Sequence, residues 1–147
     1  MTPLAIKNVA LVGLSGVLTA IISALGGWDM AIQALFAVMV IDIITGLLVA
    51  LVWKKSGKTA TGAVESKAML KGLCRKFVMI LIVFIANLID SSMGLNGILR
   101  TGSILFFTGN EGLSIVENVG IMGVPLPKFL KEAFEQLRNK GDDTEVK

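Results

Sequence analysis

Residues 30–53 read MAIQALFAVMVIDIITGLLVALVW, 24 residues with a single charge, Asp42. A helix rises 1.5 Å per residue and the hydrocarbon core of a bilayer is about 30 Å thick, so about 20 apolar residues cross it. This stretch has that length, and three others approach it. Residues 8–28 carry no charge over 21 positions. Residues 77–99 carry one in 23, Asp90. Residues 101–127 carry two in 27, Glu111 and Glu117.

The composition of the whole chain agrees. Of 147 residues, 54% are hydrophobic and 17% charged, against about 45–50% and about 25% in ordinary soluble domains. The expectation is an all-α integral membrane protein, one domain over residues 1–147, with four spans near 8–28, 30–53, 77–95 and 101–123. A centred acidic residue costs roughly 2.5–3.5 kcal/mol on insertion, so the fourth segment is the weakest and three spans are the alternative. The first segment also has signal-peptide features. Its apolar run exceeds the usual core of about 7–15 residues, and a second apolar segment follows at once, which favours a retained span.

Basic residues in short loops set orientation. The 54–76 loop holds Lys54, Lys55, Lys58, Lys67, Lys71, Arg75 and Lys76 against one acid, Glu65. It is expected in the cytoplasm, together with both termini. Arg100, in a loop assigned outside, is discordant. Residues 64–76 have helical periodicity, with Lys67, Lys71 and Arg75 on one face. Such a face suits anionic headgroups, or serves simply as a topological anchor. Residues 127–140 repeat Phe129, Leu130, Ala133, Phe134 and Leu137 at helical spacing. They form an amphipathic tail helix that Gly141 is expected to end, with disorder from 142 onward.

The chemistry-bearing residues are few. With no histidine and one cysteine, Cys74, the chain offers no zinc site, His-based triad or disulfide framework. No cofactor, metal or catalytic constellation is expected, and the protein is not read as an enzyme. The net charge of +3 comes from the basic loop, so nucleic acid is not expected as a partner. The informative residues are acids inside apolar segments with no base among them. An unpaired carboxylate there must face protein, face water or be protonated. Asp42 is central in its span. In the fourth segment Ser103, Asn110, Glu111, Ser114, Glu117 and Asn118 fall on about one third of the helix circumference. Asp42 with Asn110, Glu111, Ser114, Glu117 and Asn118 is therefore the candidate pore or gate. A helix of this kind either lines a pore, lies at the interface or hides its polar face in a closed bundle. Small residues at four-residue spacing, Gly16, Ala20 and Ala24 in the first span and Gly46 and Ala50 in the second, suit close helix packing. Contacts between subunits are favoured over packing within one.

Three blocks then stand in order: Ile41-Asp42-Ile43-Ile44-Thr45-Gly46-Leu47; Ser66-Lys67-Ala68-Met69-Leu70-Lys71-Gly72-Leu73-Cys74-Arg75-Lys76 with an apolar run ending Leu88-Ile89-Asp90; and Asn110-Glu111-Gly112-Leu113-Ser114-Ile115-Val116-Glu117-Asn118 followed by Gly123-Val124-Pro125-Leu126-Pro127. Over residues 35–138 the chain resembles the toxin-secretion/phage-lysis holin family, the TcdE-like holins. That resemblance implies a small homo-oligomeric protein of the bacterial inner membrane, opening lesions through which a cell-wall hydrolase or a large toxin leaves. It implies a functional link to that cargo without stable binding, the lipid bilayer being the lasting partner. Many holins use a second nearby start. The next methionine here is Met30, so none is expected. A small oligomeric ion channel or transporter is the alternative reading, and a non-conducting membrane adaptor a further one.

Overall fold

The computed structural model describes residues 2–144, which form helices and connecting turns with no strand among them. The helices are α1 (Pro3–Ala24), α2 (Met30–Leu48), α3 (Ser66–Met93), α4 (Ile98–Ile121) and α5 (Lys128–Asp142). A π-helical turn, Val49–Trp53, prolongs α2. Three helices are long and apolar enough to cross a membrane: α1, α2 with its π turn (Met30–Trp53), and α3. α4, the expected fourth span, is not among them.

Local chemistry explains the boundaries. α1 starts with Pro3 behind Thr2, whose hydroxyl accepts the Ala5 N–H, so the missing proline donor costs nothing. Asp29 caps α2 by accepting the N–H of Ile32 at 2.9 Å. α3 ends at Gly94, whose φ of 67° lies in the left-handed region that glycine tolerates. Two sequence expectations are corrected here. The basic segment and the third span are one continuous helix, because nothing between Ser66 and Met93 breaks it. The tail helix runs through Gly141 to Asp142, because the missing Cβ lets it lie against the backbone of Phe106. Of the tail expected to be disordered, residues 145–147 lie outside the described residues.

The core forms where α2, α3 and α4 meet. Ile32, Leu35 and Met39 of α2 pack with Met79 and Val83 of α3 and with Ile104 and Phe107 of α4. α4 is the central helix, held between α2 and α3 on one face and α5 on the other. α5 turns back after Pro127 and runs antiparallel along α4. α1 stands apart, with no buried residue, touching α3 near its own C-terminal end. Apolar side chains point outward all around α1, as lipid contact requires.

Candidate functional site

Two polar clusters interrupt this apolar bundle. The first lies midway along it. Lys76, ten residues into α3, carries its ammonium between α2 and α4. It donates to Asp42 Oδ2 at 2.8 Å and pairs also with Glu111 Oε2. Asn118, two turns after Glu111, donates to Asp42 Oδ1 at 3.2 Å and to Thr45 Oγ1 at 3.1 Å. Ser114 lies within reach of the same carboxylate. Lys58, from the loop between α2 and α3, approaches Asp42 Oδ2 at 3.9 Å and is more than half exposed. Gly46 makes room for both neighbours: a Cβ there would stand 3.6 Å from Asn118 Nδ2 and 3.9 Å from Lys58 Nζ.

Two carboxylates are thus buried against an ammonium that is itself mostly covered, and no buried side-chain nitrogen or oxygen among the described residues lacks a hydrogen-bond partner. This is the condition under which ionised groups survive in an apolar interior. A cavity of about 140 Å³ opens beside the cluster. It is walled by Ile43 and Leu47 of α2, by Ala50 of the π turn and by Ala68, Met69 and Leu73 of α3, with Asp42, Lys58 and Lys76 on its polar side.

The second cluster joins the other end of the bundle. Asp90 of α3 accepts the N–H groups of Leu99 at 3.0 Å and of Arg100 at 2.8 Å, capping α4 behind Gly97, which has no side chain to do so. The Arg100 side chain turns inward. Its Nε donates to Leu25 O at 2.6 Å, and its Nη1 to Asp29 Oδ2 at 2.7 Å. Gly26, with φ at 83°, makes the turn, and a Cβ there would collide with Arg100 and with Asn87. The Arg100 hydrogen bond holds the Asp29 carboxyl below its ordinary value of 3.8, against a smaller opposing effect of burial.

The residues singled out in the sequence are distributed as follows. Asp42, Glu111 and Asn118 meet in the first cluster, with Ser114 beside them. Asn110 is half-buried, and Glu117 is exposed on another side of α4. The polar stripe therefore splits, most of it turned toward α2. Lys76 corrects its expected place among the lipid-facing bases, because its side chain is 12% exposed and pairs with carboxylates. It also corrects the reading that the intramembrane acids have no base among them. Lys54, Lys55, Lys67, Lys71 and Arg75 are exposed. Gly46 and Ala50 pack within the chain, whereas Gly16 has open space around it and Ala20 is exposed. Arg100, discordant as a loop charge, is buried. Its signal was its position directly after an apolar run that ends in Asp90 and a short glycine-bearing turn.

The sequence profile of the bacteriophage holin family matches residues 19–139, most of the chain and both clusters. The chain belongs to the bacteriophage holin family. A probable holin of Bacillus phage phi105 is 36% identical over 103 residues, 70% of this chain and 70% of its own length. An uncharacterised protein of Halalkalibacterium halodurans is 37% identical over 136 residues, 88% of this holin-family chain and 93% of its own. An uncharacterised protein of Bacillus subtilis is 32% identical over 113 residues, 77% and 75% of the two chains. No solved structure matches this holin-family chain significantly.

Proposed function

We propose that the protein assembles in the bacterial cytoplasmic membrane into lesions through which a cell-wall hydrolase, or a large toxin, leaves the cell. Membership of the holin family supports this, and so do three apolar helices of membrane length. The observation that carries it further is Lys76 holding carboxylates of two other helices inside an apolar bundle. In this reading the bundle is the closed form and the cluster is its latch. Opening loosens the contacts among Lys76, Asp42, Glu111, Ser114 and Asn118, and the same helix carries Asn110 and Glu117. A charge moved through the full membrane field exchanges about 2.3 kcal/mol per 100 mV, so collapse of the potential biases the latch.

The open small-residue face of α1, Gly16 with Ala20, brings copies together, and Ala24, half-buried where α1 meets α3, ends it. The exposed bases Lys54, Lys55, Lys67, Lys71 and Arg75 keep the loop between α2 and α3 at the cytoplasmic headgroups, with the N-terminus on the same side. α4, packed along α2 and α3, shares their depth and serves as a fourth span in the assembly. The cargo passes without stable binding.

Induced expression beside a co-expressed hydrolase tests this. The expected result is an abrupt, late loss of viability with release of the hydrolase. Lys76→Met should advance the onset, and Lys76→Arg, which keeps the charge, should leave it near normal. Ion leakage without release of protein would replace this reading with that of a small channel.

A further inference from the structure

The bundle has two kinds of outer surface. Around α1, α2 and α3 it is apolar, with Val12, Val17, Ile44, Val52, Ile82 and Ile85 all exposed. Along α5 it is polar. Lys131, Glu132, Gln136, Asn139, Lys140 and Asp142 face outward. Phe129, in the first turn, is the one large apolar side chain exposed on this helix. Four basic and three acidic residues share its fifteen positions.

This polar strip is not beyond the end of the bundle. The Phe134 ring lies on Gly112, the backbone of Arg138 on Gly109, Gly141 on Phe106 and Thr144 on Gly102. Residues 134–144 therefore cover residues 102–112 of α4, roughly 16 Å of helix and about half the hydrocarbon thickness. Beneath that same stretch Ile104 and Phe107 of α4 enter the core shared with α2 and α3. A helix this rich in charge at that depth is costly against lipid tails. The contact that keeps it there is intimate. A Cβ at Gly109 or Gly141 would come closer than 3.0 Å to backbone of the facing helix, and one at Gly112 or Gly102 would strike the Phe134 ring or the Thr144 side chain, so nothing larger than glycine fits along this seam. Such a seam is built to stay closed.

We propose that the outward face of α5, rather than the polar stripe of α4, lines the water-filled lumen of the assembled lesion. Copies joined through the small-residue face of α1, with the rest of their apolar α1–α3 surfaces toward lipid, turn their α5 surfaces toward a common centre. α4 is then the wall that carries the lining, and its polar residues stay on the latch. Because α5 presents both signs of charge, the lumen passes cargo of either sign. The proposal rests on the holin reading and names the surface that reading leaves unassigned.

Purified protein in liposomes loaded with fluorescent dextran tests it, in a Cys74→Ser background. A disulfide between G102C and T144C pins α5 to α4. Release should persist in the oxidised protein, within twofold of the reduced form. If oxidation abolishes release and reduction restores it, α5 must leave α4 and the proposal falls. A bulky maleimide-polyethylene glycol attached at Gln136→Cys should slow release at least tenfold, and the same group at Ile85→Cys should not. Equal effects at the two sites overturn it as well. Should neither form release dextran, the lesion reading fails by itself. The lining is then judged by a small charged thiol reagent, which must label Gln136→Cys at least tenfold faster than Ile85→Cys in the membrane.

Discussion

Asp90 accepts the backbone N–H of Arg100 at 2.8 Å, so the last turns of α3 supply the cap that the first turn of α4 lacks. A helix start leaves its first N–H groups without intrahelical partners, and an acid there also meets the positive end of the helix dipole. Asp90→Ala should lower stability by about 1–2 kcal/mol, the usual cost of a lost cap. Asp90→Asn, which keeps an acceptor, should cost less. Unfolding in mixed detergent micelles measures both, and equal losses would show that the carboxylate charge alone matters.

The same end of the bundle has a predictable pH response. Asp29 titrates below 3.8 because Arg100 donates to it, so the contact stabilises the fold fully above that value and is lost as pH falls through the lowered one. The Asp29 side chain is 48% exposed, which limits the effect to that of a solvated ion pair, about 0–1 kcal/mol. Asp29→Asn retains the cap on α2 and removes the titration. Its unfolding midpoint should vary less than that of the wild-type chain between pH 5 and pH 3.

At mid-bundle the sign of charge decides the outcome. Lys76→Met leaves Asp42 and Glu111 facing one another without their shared cation, and breaking a buried pair in this way costs about 3–5 kcal/mol. Adding Asp42→Asn and Glu111→Gln removes the stranded charges. The triple variant should therefore recover most of the loss, despite having more substitutions. If it is no more stable than Lys76→Met alone, the cluster is not held by charge pairing.

How much of this was legible in the sequence depends on the residue. Apolar runs of bilayer length carried α1, α2 and α3, since length and hydropathy are one-dimensional properties. Asp42 and Glu111 announced themselves as charges in apolar surroundings. Lys76 did not, because it follows Arg75 and reads as the last member of a basic loop. Only the continuity of α3 shows that it stands ten residues inside a helix, at the level of two acids. The return of α5 along α4 was hidden for a similar reason. Amphipathic spacing tells that one face is covered but not by what, and the partner groove consists of glycines, which carry no hydropathy signal of their own.

That seam makes its own prediction. Gly109→Ala sets a methyl group against the backbone of Arg138, which cannot rotate aside as a side chain would. Forcing the helices apart should cost about 1–3 kcal/mol, the range for overpacking. Gly13→Ala, where no neighbour lies within 4 Å, should cost nothing measurable and gain slightly from helix propensity. Limited trypsin digestion at Lys131 and Arg138 in nanodiscs reads the difference. Only the first variant should be cut faster in α5.

Glu117 and Asn118 are neighbours in sequence but differ in surroundings, and replacing each with leucine separates two roles the polar stripe had merged. Asn118 is buried and donates to Asp42 and Thr45. Its loss leaves Asp42 Oδ1 without that donor, at about 1–3 kcal/mol for a buried group deprived of its partner. Glu117 is exposed and has no side-chain hydrogen bond or salt bridge among the described residues. Asn118→Leu should therefore destabilise the bundle and shift the onset of lysis, and Glu117→Leu should leave stability within about 0.5 kcal/mol. A change of lysis timing in Glu117→Leu at unchanged stability would give Glu117 a part in opening that its lack of bundle contacts does not foretell.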